Sequence, residues 1–195
     1  MKSVAIWALL VVCAPVLDAD ETFKSDPARS SLQFLFRQAG AVSQGVFTKT
    51  ATELRFDPTN LAASWLTVNV DVTSLDTKDK DRDDLLRGSD LFDVAKYPAA
   101  SFRSTKLQRL KNGSYEAFGK LTIRGVTRDI RLPLTIQARR QAALTTLALR
   151  GAAIIRRLDY AIGQGDWKST QWVDDNVTVK FDILLTTNMA PALAE

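Results

Sequence analysis

An alternation of apolar and polar residues with a period of two runs through most of this chain and constrains its fold more than any other feature. Leu32, Phe34 and Phe36 alternate with Gln33, Leu35 and Arg37. Leu54 and Phe56 alternate with Glu53, Arg55 and Asp57, and Leu66, Val68, Val70 and Val72 with Thr67, Asn69 and Asp71. Tyr115, Ala117, Gly119, Leu121 and Ile123 form a fourth set, against Glu116, Phe118, Lys120, Thr122 and Arg124. Ile130, Leu132, Leu134 and Ile136 form a fifth, and Val177, Val179, Phe181, Ile183 and Leu185 the last. Successive side chains of a strand point to opposite faces, so each set predicts a strand with one apolar and one wet face. Turn signals separate the sets. Lys111-Asn112-Gly113 predicts a tight hairpin, because Asn and Gly accept positive φ. Asp57-Pro58-Thr59-Asn60 and Arg124-Gly125-Val126 are further breaks. Many antiparallel strands with one solvated face imply a closed barrel or a sandwich.

Thr77–Pro98 breaks the pattern. Acids at Asp79, Asp81, Asp83 and Asp84 precede Leu85 and Leu86, which suits a helix start where the macrodipole is positive. Ser89 is placed to cap a second short turn over Asp90–Val94, and Pro98 blocks continuation. A helical excursion around residues 78–95 is therefore expected, with Leu85, Leu86, Leu91 and Phe92 covering one end of the sheet structure.

Composition excludes several chemistries. The 195 residues include no histidine and one cysteine, Cys13. A Ser-His-Asp triad and His-based metal or haem ligation are ruled out. The net charge of +4 is made of interleaved rather than clustered charges. Lys2, the apolar run Val4–Val12 and its extension to Leu17, closed by Asp18-Ala19-Asp20, match a secretory signal peptide over residues 1–19. The run is too short to span a bilayer, which needs about 20 apolar residues. Leu10-Val11-Val12-Cys13 loosely resembles a lipidation motif, but Val12 is bulky where a small residue is wanted. Cleavage after Ala19 leaves no cysteine. One domain over residues 20–187 and a loose tail at 188–195 are expected.

The polar constellations are weak. Asp79-x-Asp81-x-Asp83 begins like a calcium loop, but the sixth position is Asp84 instead of Gly and the twelfth is Asp90 instead of Glu. Asp83-Asp84 and Asp174-Asp175 are adjacent in sequence, so their side chains diverge. Ser89 with Lys96 reads more simply as a cap and a surface charge. Gly165-x-Trp167 matches a lipocalin motif that belongs on a first strand. Asn112 and Asn176 begin glycosylation sequons but suit a turn and a strand start. Arg139-Arg140 and Arg156-Arg157 lack a phosphate loop or interleaved aromatics, so no nucleic-acid partner is expected. Gly45, Ala117, Gly119 and Gly151 are small inward residues. They fit either a tightly packed taper or room for a ligand, and an eight-stranded barrel allows both.

Taken in order, the motifs resemble the YceI family of bacterial secreted proteins. They are Gly45-Val-Phe47, Phe56-Asp57-Pro58, Ser74-Leu-Asp-Thr77, Arg82-Asp83, Phe92-Asp93-Val94-Ala-Lys96-Tyr97-Pro98 with Phe102, and Gly119-Lys-Leu-Thr-Ile-Arg-Gly125-Val-Thr127. Arg157-Leu-Asp159-Tyr160 with Ile162-Gly163 follows near the end. The resemblance covers about Ser30 to Leu185. It implies a mainly β, antiparallel, lipocalin-like barrel of about eight strands. It also implies a periplasmic address and a polyisoprenoid or similar long amphiphilic lipid as partner, and brings no settled catalytic residues; no cofactor or metal is expected. Two positions depart from the pattern: Leu85 stands where the family often has His, and Ala161 where it usually has Gly.

The expected apolar cavity residues are Leu32, Phe34, Phe36, Phe47, Phe56, Leu66, Val68, Val70, Leu85, Phe92, Phe102, Leu121, Ile123, Val179 and Phe181. Arg82, Tyr97 and Arg157 are placed to meet a polar head. The expected function is a periplasmic carrier without enzymatic activity. The alternative is an enzyme acting on a hydrophobic substrate through carboxylates such as Asp83 and Asp159. An outer-membrane barrel needs an apolar outward face, and Thr67, Asn69, Asp71, Glu116, Lys120, Thr178, Lys180 and Asp182 oppose it. The sequence leaves open whether the protein forms a homodimer.

Overall fold

A computed structural model describes residues 21–141 and 144–187, so the expected signal peptide (1–19) and tail (188–195) lie outside the described residues. The chain starts with β1 (Thr22–Ser25), β2 (Ser31–Gln38), β3 (Ala41–Phe47), β4 (Thr50–Arg55), β5 (Trp65–Asp71) and the short β6 (Leu75–Asp76). One helix, α1 (Lys80–Arg87), follows. Five strands complete the described chain: β7 (Ala99–Arg109), β8 (Tyr115–Ile123), β9 (Val126–Gln141), β10 (Leu144–Arg156) and β11 (Asn176–Thr187).

All the pairings are antiparallel. The order β1-β4-β5-β7-β8-β9-β10-β11 closes on itself because β11 also pairs with β1, which gives an eight-stranded barrel. Strand β11 is long enough to serve two partners. Its Leu185–Thr187 end pairs with β1, and Thr178–Asp182 pairs with β2, from which β3 and β6 continue outward. A capped turn at Pro27–Arg29 makes this step between β1 and β2, with Asp26 accepting from the Ala28 N–H at 3.0 Å.

Two hairpins among the described residues have two-residue turns. Ala39-Gly40 (φ 50° and 81°) joins β2 to β3, and Arg124-Gly125 (φ 48° and 73°) joins β8 to β9. Positive φ at both central residues matches the right-handed twist of paired strands.

Helix α1 begins at the acidic run, as expected. The Asp79 carboxylate accepts from the Arg82 N–H at 3.1 Å and caps the helix. Asp83 is buried and accepts from both the Thr77 N–H (2.8 Å) and its hydroxyl (2.7 Å). These two carboxylates are thus spent on the helix start and the strand before it, not turned to a common centre. Gly88 ends the helix. The expected second helical turn at Asp90–Val94 is instead a series of tight turns, in which Leu91 and Asp93 both donate to the Gly88 carbonyl.

Burial along the inward faces is graded. Phe23, Leu54, Leu147 and Leu185 are fully buried and fill one end of the barrel with Leu107 and Tyr115. Toward the other end the inward residues Val68, Val70, Leu121, Ile130 and Val179 are only half-buried. Alternation persists along each strand, so these residues still face inward, and what they face is a lumen.

Candidate ligand-binding cavity

The lumen is a cavity of about 530 Å³. That lies within the roughly 300–1,000 Å³ typical of small-molecule sites. Fourteen residues of the expected set line it: Leu32, Phe34, Phe36, Phe47, Leu66, Val68, Val70, Leu85, Phe92, Phe102, Leu121, Ile123, Val179 and Phe181. The fifteenth is corrected. Phe56 sits in the packed end, its ring edge-on to Tyr115 at 5.3 Å between centroids, outside the cavity wall. Its parity is inward, but it lies just past the end of β4, at the closed end of the barrel.

Aromatic rings dominate one side of the wall. Phe34 contacts Phe36 and Phe47 at centroid distances of 6.1 and 5.1 Å, and Phe47 meets Phe92 edge-on at 6.1 Å. The inward glycines receive rings. A Cβ on Gly45 would lie 2.3 Å from Phe34 Cζ, one on Gly119 2.7 Å from Phe102 Cζ, and one on Gly151 2.4 Å from Phe181 Cζ.

The mouth carries the few polar groups. Helix α1 presents Asp79, Asp81, Arg82, Leu85 and Leu86 to the cavity. Arg82 is held on Asp79 at 2.9 Å, and Leu85 is 45% exposed, so the rim at this position is apolar.

Arg157 also reaches the cavity, yet it is only 4% exposed. Its guanidinium donates to four backbone carbonyls: Asp174 (3.1 Å), Ile162 (3.0 Å), Ser169 (3.2 Å) and Val173 (3.0 Å). Burial draws its pKa down from the usual Arg value, and Asp175 opposes that shift. These bonds gather residues 162–174 around one side chain. They also place Ile162, Trp167 and Val173 on the cavity wall. The loop residues escaped the sequence reading because no periodicity marks them. Ile130, Leu132, Val177 and Ile183 also line the wall, and they belong to the alternating sets.

Tyr97 is not brought into the cavity lining. It lies outside the cavity at the tip of the β8–β9 hairpin, where a Cβ on Gly125 would meet its ring at 2.7 Å. Arg124 and Lys96 flank that ring at 5.9 and 5.4 Å.

Ala161 explains a departure noted in the sequence. It closes the turn after Tyr160 with φ 55° and ψ 22°, a left-handed conformation that favours glycine.

The comparisons agree with this architecture. A YceI-like domain model matches residues 23–185. A UPF0312 protein of Vibrio cholerae is 34% identical over 131 residues, which cover 67% of this chain and 69% of that protein. The crystal structure of Burkholderia cenocepacia BcnA superposes with a TM-score of 0.76 at 32% identity, covering 82% of this chain and 98% of that one. A polyisoprenoid binding domain from Saccharophagus degradans, implicated in plant cell wall breakdown, shares the fold with a TM-score of 0.65 at 17% identity, covering 86% and 98%. With the family model spanning all but the outermost residues of the barrel, this chain belongs to the YceI family.

Proposed function

We propose that the barrel binds the chain of a polyisoprenoid or similar long amphiphilic lipid, and that the protein carries this lipid in the periplasm. The observation that carries the reading is the apolar cavity beside the packed core, open at the end where α1 and the Arg157-bound loop meet. An alkyl or isoprenoid chain entering it gains about 0.8 kcal/mol per methylene removed from water. The name of the Saccharophagus degradans domain supports the same ligand class at the level of the fold. The N-terminal sequence supports the periplasmic address.

Arg82 is the polar-head contact that the geometry favours, since Arg157 is committed to carbonyls and Tyr97 stands outside. The two carboxylates named for the enzymatic alternative gain no support from the site: Asp83 is bound to Thr77, neither it nor Asp159 lines the cavity, and Asp79, which does, caps α1 and holds Arg82.

Lipid extraction and mass spectrometry of protein purified from the periplasm test the proposal. An isoprenoid-type lipid is expected at near one per barrel, and Leu121→Trp, which fills the lumen, is expected to lower it severalfold. Protein that carries no lipid and takes up none from added polyprenol would overturn the reading.

A further inference from the structure

The outer wall of the barrel is electrically lopsided. The charges, expected to be interleaved along the chain, are not so here: residues 99–141, which cover β7, β8 and β9, hold ten Lys or Arg against Glu116 and Asp129 alone. That surplus of eight exceeds the +4 of the whole chain, so the remaining residues sum to a negative charge. The register aligns four of these cations, Arg103, Lys106, Lys120 and Arg131, on one outward face. Arg103 pairs with Lys120, which pairs with Asp129, and Lys106 pairs with Phe118, which pairs with Arg131. Paired residues in adjacent strands project from the same side of a sheet.

In the second row Phe118 is half-buried, with Lys106 at 5.8 Å and Arg131 at 5.4 Å from its ring centre. Arg103, Lys106 and Arg131 are exposed and make no ion pair among the described residues, whereas Lys120 binds Asp129 at 3.0 Å. Toward the mouth the same wall continues into Arg124 and Lys96 around Tyr97. Cations flanking half-buried rings on a sheet wall, running up to the rim of an apolar cavity, make a surface for an extended array of anions.

We propose that this wall docks the protein on an anionic lipid bilayer, with the cavity mouth at the bilayer surface. The choice of a bilayer over another polyanion rests on the lipid-binding reading, since a carrier must exchange its lipid with a membrane. Each basic residue near an anionic leaflet contributes about fivefold to affinity, the equivalent of about 1 kcal/mol. The attraction is screened by salt.

Co-sedimentation with phosphatidylcholine vesicles, and with vesicles of phosphatidylcholine and phosphatidylglycerol in equal parts, provides the test. Binding is expected to the anionic vesicles only and to fall with added salt. The combined variant Arg103→Gln, Lys106→Gln, Arg131→Gln should lose on the order of a hundredfold in vesicle affinity. Lys24→Gln, Lys49→Gln, Lys180→Gln, on the rest of the barrel, should lose little. The three wall positions are exposed and outside the cavity, so the lipid load of the first variant by mass spectrometry should be unchanged. Equal losses in the two triple variants, indifference to phosphatidylglycerol, or heparin bound more tightly than vesicles would each overturn the docking surface. A protein that binds anionic vesicles through this wall but holds no lipid would keep the surface and remove the carrier reading.

Discussion

Phe34 and Gly45 are cross-strand partners, and the tip of the Phe34 ring occupies the space that a side chain at position 45 would need. Gly151 and Phe181 repeat the arrangement as another direct pair, and Gly119 receives Phe102 on the diagonal. Sequence alone leaves these inward glycines as either tight packing or space. They provide both: each lowers the wall locally so that a neighbouring ring can lie into it, and the lumen beyond stays open.

Gly45→Ala therefore acts on the lumen through Phe34. The new Cβ would lie 2.3 and 2.7 Å from Phe34 ring atoms and 2.9 Å from Thr77 Cγ2, all of them side-chain atoms. The ring must swing inward, at a cost of about 1–3 kcal/mol for overpacking. Urea unfolding should show that loss, and mass spectrometry a reduced lipid load. Adding Phe34→Leu should restore much of the stability. Gly151→Ala should cost more, because it also meets the Pro133 carbonyl at 2.3 Å, and backbone cannot step aside.

Arg157 organises the loop that walls the mouth. Removing it strands four carbonyls that have lost a charged donor, and hydrogen bonds to charged groups are worth about 1.5–3 kcal/mol each. Arg157→Ala is expected to destabilise the domain by at least about 3 kcal/mol. Arg157→Lys should recover only part of that, because an ammonium cannot reproduce the planar fork. Thermal unfolding checks both. Hydrogen exchange should locate the loosening at residues 162–174.

Ala161→Gly should stabilise the protein. A non-glycine residue in the left-handed region costs roughly 1–2 kcal/mol, and Ala161 occupies that region with φ 55°. A gain of about 1 kcal/mol in urea unfolding is expected. The greater entropy of glycine in the unfolded chain keeps it from being larger.

Tyr160 gives the protein an alkaline sensitivity. It is buried, its hydroxyl has no hydrogen-bond partner among the described residues, and burial pushes its pKa up to about 12, with Asp159 adding to the shift. The folded state thus holds the proton more tightly than the unfolded state, whose value is 10.0. This contribution is complete below pH 10.0 and is lost as the pH rises through about 12. In Tyr160→Phe, stability should fall less steeply over that window. At neutral pH the variant should be unchanged or slightly more stable, since it removes an unpaired buried hydroxyl.

The parts of the cavity legible in the sequence are those carried by strands. Val68, Val70, Leu121 and Val179 could be assigned inward because pleating alternates side chains whatever the partner strand. Trp167, Ile162 and Val173 could not, because their inward position follows from the guanidinium of Arg157 binding carbonyls up to seventeen residues away. Tyr97 looked like part of the mouth through its closeness to α1 in sequence. The chain turns after Asp93, and the Arg124-Gly125 hairpin takes the ring against its outer side.

Local rules were enough to establish a strand-rich antiparallel fold, barrel or sandwich, the inward faces and the helix start in the acidic run, because alternation, turn chemistry and capping act over a few residues. Three further properties needed the assembled barrel: how far along its axis each inward residue sits, where Phe rings find glycines across the strands, and which cations share a wall. Phe56 and Val68 have the same inward parity, yet one packs the closed end and the other faces the lumen. Parity is a property of one strand, while depth depends on the register between strands. That register is set when β11 closes the ring on β1.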